Sequence, residues 1–369
     1  MEVVQISLSA DPETGSASHL NSNISRGICF QAGLIVKLKL GGLQMNRFTK
    51  ANFVILFVFS FFLVSTLSCG KDRGVNSVPP SPYVKASDWI ASVDWNQATT
   101  VELLMIETSP TEMSFSPDSL AFVAGKPYIL RIKSPSTNAA KHYFATEGPT
   151  DFFKAVATRK IQTSDAEYKA PYFLAVELLI GGELDIYFVP VLAGTYNFLC
   201  TIPNHKDYGM FGKIVITGGA GYQLDLQVDA SFNPALLTDP RTSGSHSVWS
   251  TKVTVPVQMV EGGATPYSYN PSDLYLKKDS AYVITISNPS SNAEKHYYTA
   301  AEFCRTVVTR KFEDSDAEVK APYFKAIELL IGGTAKEYVV PTVADTFYVH
   351  CTIPGHTENG MEGSIIVSP

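Results

Sequence analysis

Charge, cysteine and closely paired histidine are all scarce in this chain. Only 17% of its 369 residues are charged, and the formal net charge is −6. Residues 1–68 hold five Lys/Arg and three Asp/Glu, so from residue 69 onward 24 basic residues face 32 acidic ones, a balance of −8. Nucleic acid is therefore a poor partner, because its phosphates demand a basic face. The five cysteines form no zinc-type cluster. No phosphate-binding glycine loop or nucleophile triad is visible, and none of the seven histidines sits in a His-x-His pair. What is abundant is apolar residue: a 45% hydrophobic fraction is that of a folded chain. The length suits two domains of about 100–150 residues.

The N-terminal region reads "MNRFTKANFVILFVFSFFLVSTLSCGKD" from Met45. Arg47 and Lys50 precede an uncharged apolar run from Ala51 to Leu67, the layout of a secretory signal over residues 45–68. The segment resembles a bacterial lipoprotein signal, which implies lipidation of Cys69, although Thr66 stands where that pattern favours Leu. Ordinary cleavage and an uncleaved anchor are the alternatives. Residues 1–44 look like neither a signal nor a core and point to a start at Met45. Residues 69–85, rich in Gly, Pro and Ser, read as a flexible tether. The expected location is outside the cytoplasmic membrane, in the periplasm or at the cell surface, held by lipid at Cys69.

Internal repetition decides the architecture. "SPSTNAAKHYF" from Ser134 matches "NPSSNAEKHYY" from Asn288, "KAPYFLAVELLIGG" from Lys169 matches "KAPYFKAIELLIGG" from Lys320, and "MFGKIVITG" from Met210 matches "MEGSIIVSP" from Met361. The offset is 154 residues up to His142/His296 and 151 afterwards, which puts three extra residues near "EGPT" at 147–150; Trp95 and Trp249 keep the 154 spacing. Two domains follow, at 86–218 and 245–369, with a connector at 219–244.

Each copy carries β patterning. Leu120/Phe122 and Tyr128/Leu130/Ile132 alternate on either side of a Gly-Lys-Pro turn, as half-buried strands do. Ala193-Gly194 reads as a second turn and Pro190 as a strand end. The exception is "TDFFKAVATRK", where Phe152/Val156 and Phe153/Ala157 are spaced four apart and predict a short helix. The expected fold is all-β: two tandem Greek-key β-sandwiches, each with a short helical insert.

The chemistry lies in "CTIPNHKDYGM" from Cys200 and "CTIPGHTENGM" from Cys351. Both keep Cys-x4-His-x4-Met while the intervening letters change, and both have a further His more than 50 residues upstream. Thiolate, two imidazoles and a thioether are the ligands of a blue-copper electron-transfer centre, with three strong donors and one long axial sulfur. A rigid scaffold holding such a set rearranges little between Cu(I) and Cu(II). The dull alternative, a repeated scaffold loop without metal, leaves unexplained why these four letters persist.

On these motifs each copy resembles a cupredoxin, the fold of plastocyanin, azurin and rusticyanin, with loop spacing nearest the rusticyanin type. The resemblance covers both copies. It implies one type 1 copper at His142, Cys200, His205 and Met210, and another at His296, Cys351, His356 and Met361. It also implies one-electron transfer rather than catalysis, with redox proteins such as cytochromes or oxidase complexes as partners. Tyr143 and Tyr297 depart from the pattern, since many cupredoxins place Asn after the first His. Ile202, Pro203, Tyr208 and Phe211, with Ile353 and Pro354, read either as a docking patch beside the loop His or as loop packing.

His350, next to Cys351, is where copper nitrite reductases and multicopper oxidases place a ligand for a second, catalytic copper. Such a site needs further histidines, and only His246 and His19 remain, so an ordinary strand His is expected. A copper-handling protein without a redox circuit is the other alternative. Cys304 takes the place of Phe153 and reads as core. "TRK" at 158–160 and 309–311, Asp165/Asp316 and Glu177/Glu328 recur and suggest a polar network around the insert.

Overall fold

A computed structural model describes residues 90, 93–146, 151–170, 172–218, 234–289, 291–320 and 324–369. The proposed signal, Cys69, the tether, the three-residue insertion at 147–150 and much of the connector lie outside the described residues.

Nearly all the regular structure among the described residues is strand. The first repeat forms β1 (Thr99–Ser109), β2 (Glu112–Ser116), β3 (Ser119–Val123), β4 (Tyr128–Lys133), β5 (His142–Thr146), β6 (Val156–Gln162), β7 (Ala166–Tyr168), β8 (Ala175–Leu178), β9 (Glu183–Pro190), β10 (Gly194–Leu199) and β11 (Phe211–Thr217). The second forms β12 (Val253–Glu261), β13 (Tyr267–Asn270), β14 (Asp273–Lys277), β15 (Tyr282–Ser287), β16 (His296–Thr299), β17 (Val307–Glu313), β18 (Ala317–Lys320), β19 (Ala326–Leu329), β20 (Thr334–Pro341), β21 (Thr346–His350) and β22 (Glu362–Ser368). The expected alternation is present: β3 buries Leu120 and Phe122, and β4 buries Tyr128, Leu130 and Ile132. Phe122 meets Tyr128 edge-on at 4.8 Å, and Phe115 meets Phe198 at 4.9 Å. Both pairs bridge opposite sheets, so the core is the layer between them.

Two eleven-stranded sheets result, each running through both repeats. One follows the order β14-β22-β21-β16-β19-β7-β6-β9-β4-β1-β2 and the other β13-β12-β15-β20-β17-β18-β8-β5-β10-β11-β3. The repeats join twice, through antiparallel pairing of β19 with β7 and of β18 with β8. Since β18 and β19 are the counterparts of β7 and β8, the joint is pseudo-two-fold: each repeat keeps its own two edge strands and pairs them with the other's. Edges that would otherwise invite aggregation are thereby paired.

The segment expected to be helical is not. Only Phe152–Lys154 makes a single 3-10 turn, with Asp151 accepting from the Phe153 N–H, and Val156 onward is strand β6. β-branched Val156, Thr158 and Ile161 favour a pleated surface, and pairing with β9 buries the first three residues of the strand. In the second repeat one α-helical turn, α1 (Ala301–Cys304), precedes β17. Phe153 and Cys304 are both buried, as expected of core positions.

The recurring polar residues lie at the joint rather than around a helix. Glu177 faces Glu318 across β8–β18, and Glu328 faces Glu167 across β19–β7. Each like-charged pair is offset by lysines: Lys141 reaches Glu177 at 2.8 Å and Lys320 reaches Glu318 at 2.7 Å. At the other joint Lys295 meets Glu328 and Lys169 meets Glu167, both at 2.5 Å. Lys311 and Lys160 of the "TRK" segments close the network on Glu318 and Glu167. Their lysine bonds pull the Glu167 and Glu318 carboxyls, against the cost of burial, down to about 2. The tight turns beside them interlock, with Ser164 donating to Asp316 and Ser315 to Asp165. Asp314 accepts from Thr163 Oγ1 at 2.6 Å and Tyr168 OH at 2.7 Å.

Candidate metal centres

In the first repeat His142 opens β5, Cys200 follows the end of β10, and His205 lies in the loop before β11. That loop is closed by main-chain bonds: the Cys200 N–H donates to the Met210 carbonyl and the Met210 N–H to the His205 carbonyl, each at 3.0 Å. The second repeat repeats them, from Cys351 N–H to Met361 carbonyl at 3.0 Å and Met361 N–H to His356 carbonyl at 2.9 Å. Two glycines make the loops possible. Gly209 and Gly360 have φ of +105° and +106°, a region that disfavours other residues.

The folded chain brings the two histidines and the cysteine together in each repeat. His142 Nδ1 lies 3.2 Å from His205 Nδ1, and Cys200 Sγ lies 3.5 Å from His205 Nδ1. In the second triad, His296 Nδ1 to His356 Nδ1 is 3.1 Å and Cys351 Sγ to His356 Nδ1 is 3.6 Å. All six residues are buried, and Met210 and Met361 are wholly enclosed. Ligands of one ion stand this far apart when imidazole nitrogen and thiolate sulfur are about 2.0 and 2.3 Å from it. Buried histidine nitrogens usually turn toward oxygen acceptors, whereas here four ring nitrogens converge in pairs beside a sulfur. The donor set therefore fits a soft or borderline metal ion.

Burial works against the charged forms of His142, His205, His296, Cys200 and Cys351. Burial pushes the His142 imidazole down to about 4, with His205 pushing the same way and Glu107 opposing. His205 is lowered chiefly by burial, and so is His296, despite the hydrogen bond of Glu261. Burial pushes the Cys200 and Cys351 thiols up, while backbone N–H groups work the other way. A bound cation inverts that balance and draws out the thiolate.

The residues that depart from the cupredoxin pattern have a definite place. The backbone N–H of Tyr143 donates to Cys200 Sγ at 3.3 Å, and that of Tyr297 to Cys351 Sγ at 3.3 Å. Tyr143 lies across from Glu177 on β5–β8 and Tyr297 across from Glu328 on β16–β19, so each sulfur is linked through one tyrosine to the strands that form the joint between the repeats. Glu107 and Glu261 were not singled out from the sequence, although both keep the 154 spacing. Glu107 Oε2 accepts from the N–H groups of Ala139 and Ala140, while Glu261 accepts from those of Ala293 and Glu294. Their carboxylates thus fix the turn that carries the upstream His.

His350 ends β21, stacked on Tyr348 at 4.8 Å, with its Nδ1 buried and unpartnered. His246 Nδ1 accepts from the Val248 N–H and so caps a 3-10 turn. Among the described residues the groups close enough to share an ion are the two His-Cys-His triads and Asp165/Asp314/Asp316, and none includes His350. Cys200, Cys304 and Cys351 are free.

No protein-family model matches the chain. Over 117 residues, 32% of this chain and 66% of the relative, it is 29% identical to the copper-resistant cuproprotein CopI of Rubrivivax gelatinosus. The chain thus spans just under two thirds of that relative's length. Among solved structures it aligns with a copper-containing nitrite reductase of Thermus scotoductus at 11% identity and TM-score 0.27, covering 73% of this chain and 62% of that one. A multicopper oxidase of Campylobacter jejuni aligns at 11% and 0.27, over 74% and 65%. The blue copper protein auracyanin A of Chloroflexus aurantiacus aligns at 14% and 0.22, over 32% of this chain and 99% of its own. At such scores these likenesses carry no argument about this chain's chemistry.

Proposed function

We propose that this is a copper-binding, one-electron transfer protein of the cell envelope with one type 1 copper per repeat. His142, Cys200, His205 and Met210 hold one ion and His296, Cys351, His356 and Met361 the other. The observation that carries the reading is the pair of buried His-Cys-His triads, alike to within 0.1 Å in both the N···N and S···N separations. Each sits on a loop whose last residue is an enclosed Met. Copper supplies a one-electron couple, and this combination of thiolate, imidazole and thioether is the set that tunes it for electron transfer. The chain's own part is to hold those donors still. Main-chain bonds fix both ends of each loop, the tyrosine N–H steadies the sulfur, and burial excludes water.

Export through residues 45–68, anchorage at Cys69 and redox partners such as cytochromes or oxidase complexes belong to the same proposal. Among the described residues no helix is long and apolar enough to cross a membrane. Ile202 and His205 border a hollow of about 510 Å³ with Ala139, Ala140, Leu179 and Ile180, which supports partner contact at that edge. The partial likeness to a copper-resistance protein supports copper as the metal and makes copper handling the second reading. His350 is assigned no catalytic copper.

Copper stoichiometry and spectra test all of this. Two coppers per chain with an intense thiolate-to-copper visible band are expected. Cys200→Ala and Cys351→Ala should each remove one copper and part of the band. A type 2 paramagnetic signal would instead favour an enzyme, and ready loss of metal to a chelator would favour copper handling.

A further inference from the structure

The two centres are built from the same letters but differ one layer out. In the second, His296 Nε2 donates to Glu261 Oε1 at 3.0 Å, and a Glu294 carboxylate oxygen stands 2.9 Å from His356 Nε2. In the first, Glu107 stands 3.7 Å from His142 Nε2, beyond hydrogen-bond reach, and that nitrogen is buried without a partner. Among the described residues no carboxylate pairs with His205, and Ala140 occupies the place of Glu294. The rings are also covered differently. Tyr267 stacks on His356 at 4.1 Å with the planes 10° apart, whereas its counterpart is Met113. Beside the Cys200–Met210 loop Tyr208 and Phe211 present apolar surface; the corresponding residues of the second are Asn359 and Glu362.

These differences act on a bound ion in one direction. An imidazole that donates its outer N–H to a carboxylate is a stronger donor toward the metal. Stronger donation favours the more highly charged oxidised ion, and nearby negative charge adds to that preference. We propose that the two centres are unequal by design, the second being the lower-potential centre, held there by Glu294 and Glu261 and roofed by Tyr267, and the first the higher-potential centre with its loop imidazole bordering the hollow. This rests on the copper reading above. One electron delivered by an external one-electron donor to the fully oxidised protein would then reside at the first centre, while the second would stay oxidised. The His205 edge, bordered by the hollow, is thus where that electron would pass to an external one-electron acceptor.

The test measures the midpoint potential of each centre in the full-length protein, isolated by Cys200→Ala or Cys351→Ala. The second centre is expected below the first. Glu294→Ala should weaken the preference for Cu(II) over Cu(I) about tenfold, raising that centre by about 59 mV without moving the other. The reciprocal Ala140→Glu should lower the first centre, and it is informative even if Glu294→Ala folds poorly. In copper-free protein, nitrogen-15 NMR should show a hydrogen-bonded Nε2–H at His296 and none at His142. Equal potentials, the reverse order, or no response to either substitution would overturn the inference while leaving the copper reading intact. Absence of any thiolate-to-copper band would overturn both.

Discussion

Glu337 offers the sharpest test of the described core. It sits mid-strand in β20 between Ile284 and Phe312, both wholly buried, and its Oε1 is buried without a partner. The counterpart in the first repeat is Ile186, which lies between Leu130 and Ile161. Burial alone pushes the Glu337 carboxyl up to about 8 from the ordinary 4.5. At about 1.4 kcal/mol for each tenfold change, that gap corresponds to about 5 kcal/mol. Because the folded-state value is raised, the carboxyl's contribution to stability is fully present below about pH 4.5. It is lost as pH rises through about 8, where folding must bury an ion that the unfolded chain leaves in water. Glu337→Gln removes the ionisation and keeps the shape. Copper-free wild type and variant should be unfolded in denaturant from pH 4.5 to 9, following tryptophan fluorescence. The difference in unfolding free energy should shift toward the variant by up to about 5 kcal/mol across that range. A pH-independent difference would refute the assignment, and Glu337→Ile should behave as the glutamine variant does.

Other outcomes follow from the joint and the loops. A Cβ on Gly182 would lie 2.2 Å from the Asp316 carbonyl, and one on Gly333 2.1 Å from the Asp165 carbonyl, so Gly182→Ala or Gly333→Ala should cost more than 2 kcal/mol in denaturant unfolding. The depressed Glu167 and Glu318 carboxyls stabilise the fold above the ordinary glutamate range and lose that contribution as pH falls toward about 2. A Glu167→Gln/Glu318→Gln double variant should therefore lose more stability at pH 6 than at pH 2.5, measured by the same unfolding. Gly209→Ala, which forces a side chain to φ +105° with a Cβ 2.8 Å from the Met113 carbonyl, should lower copper retention and alter the visible band of the first centre alone. Copper removal should lower the thermal midpoint, since a ligand bound only by the folded chain adds stability by mass action.

Much of this molecule can be read from one dimension. Alternation at Leu120/Phe122 and Tyr128/Leu130/Ile132 announces strands, because side chains on a pleated chain take turns at two faces. Repetition announces a doubled scaffold, and Cys-x4-His-x4-Met announces a donor set, because a short loop can bring only near neighbours to one point. The four-residue spacing at Phe152/Val156 and Phe153/Ala157 misled, since two neighbouring apolar pairs also suit a turn running into a strand buried on both faces. What no pattern in the chain could state is where one repeat ends and the other begins in space. The pairing of β7/β8 with β19/β18 joins edges of segments about 150 residues apart, and it decides that Glu177 faces Glu318 and Glu328 faces Glu167. The same holds one layer outside the candidate ligands. Glu294 and Ala140 occupy the same place in the two repeats, and only the folded geometry turns that single difference into a carboxylate 2.9 Å from one imidazole and a hollow beside the other. The identity of a candidate donor is local chemistry and survives in the letters; the environment around it is assembled from strands far apart in the chain.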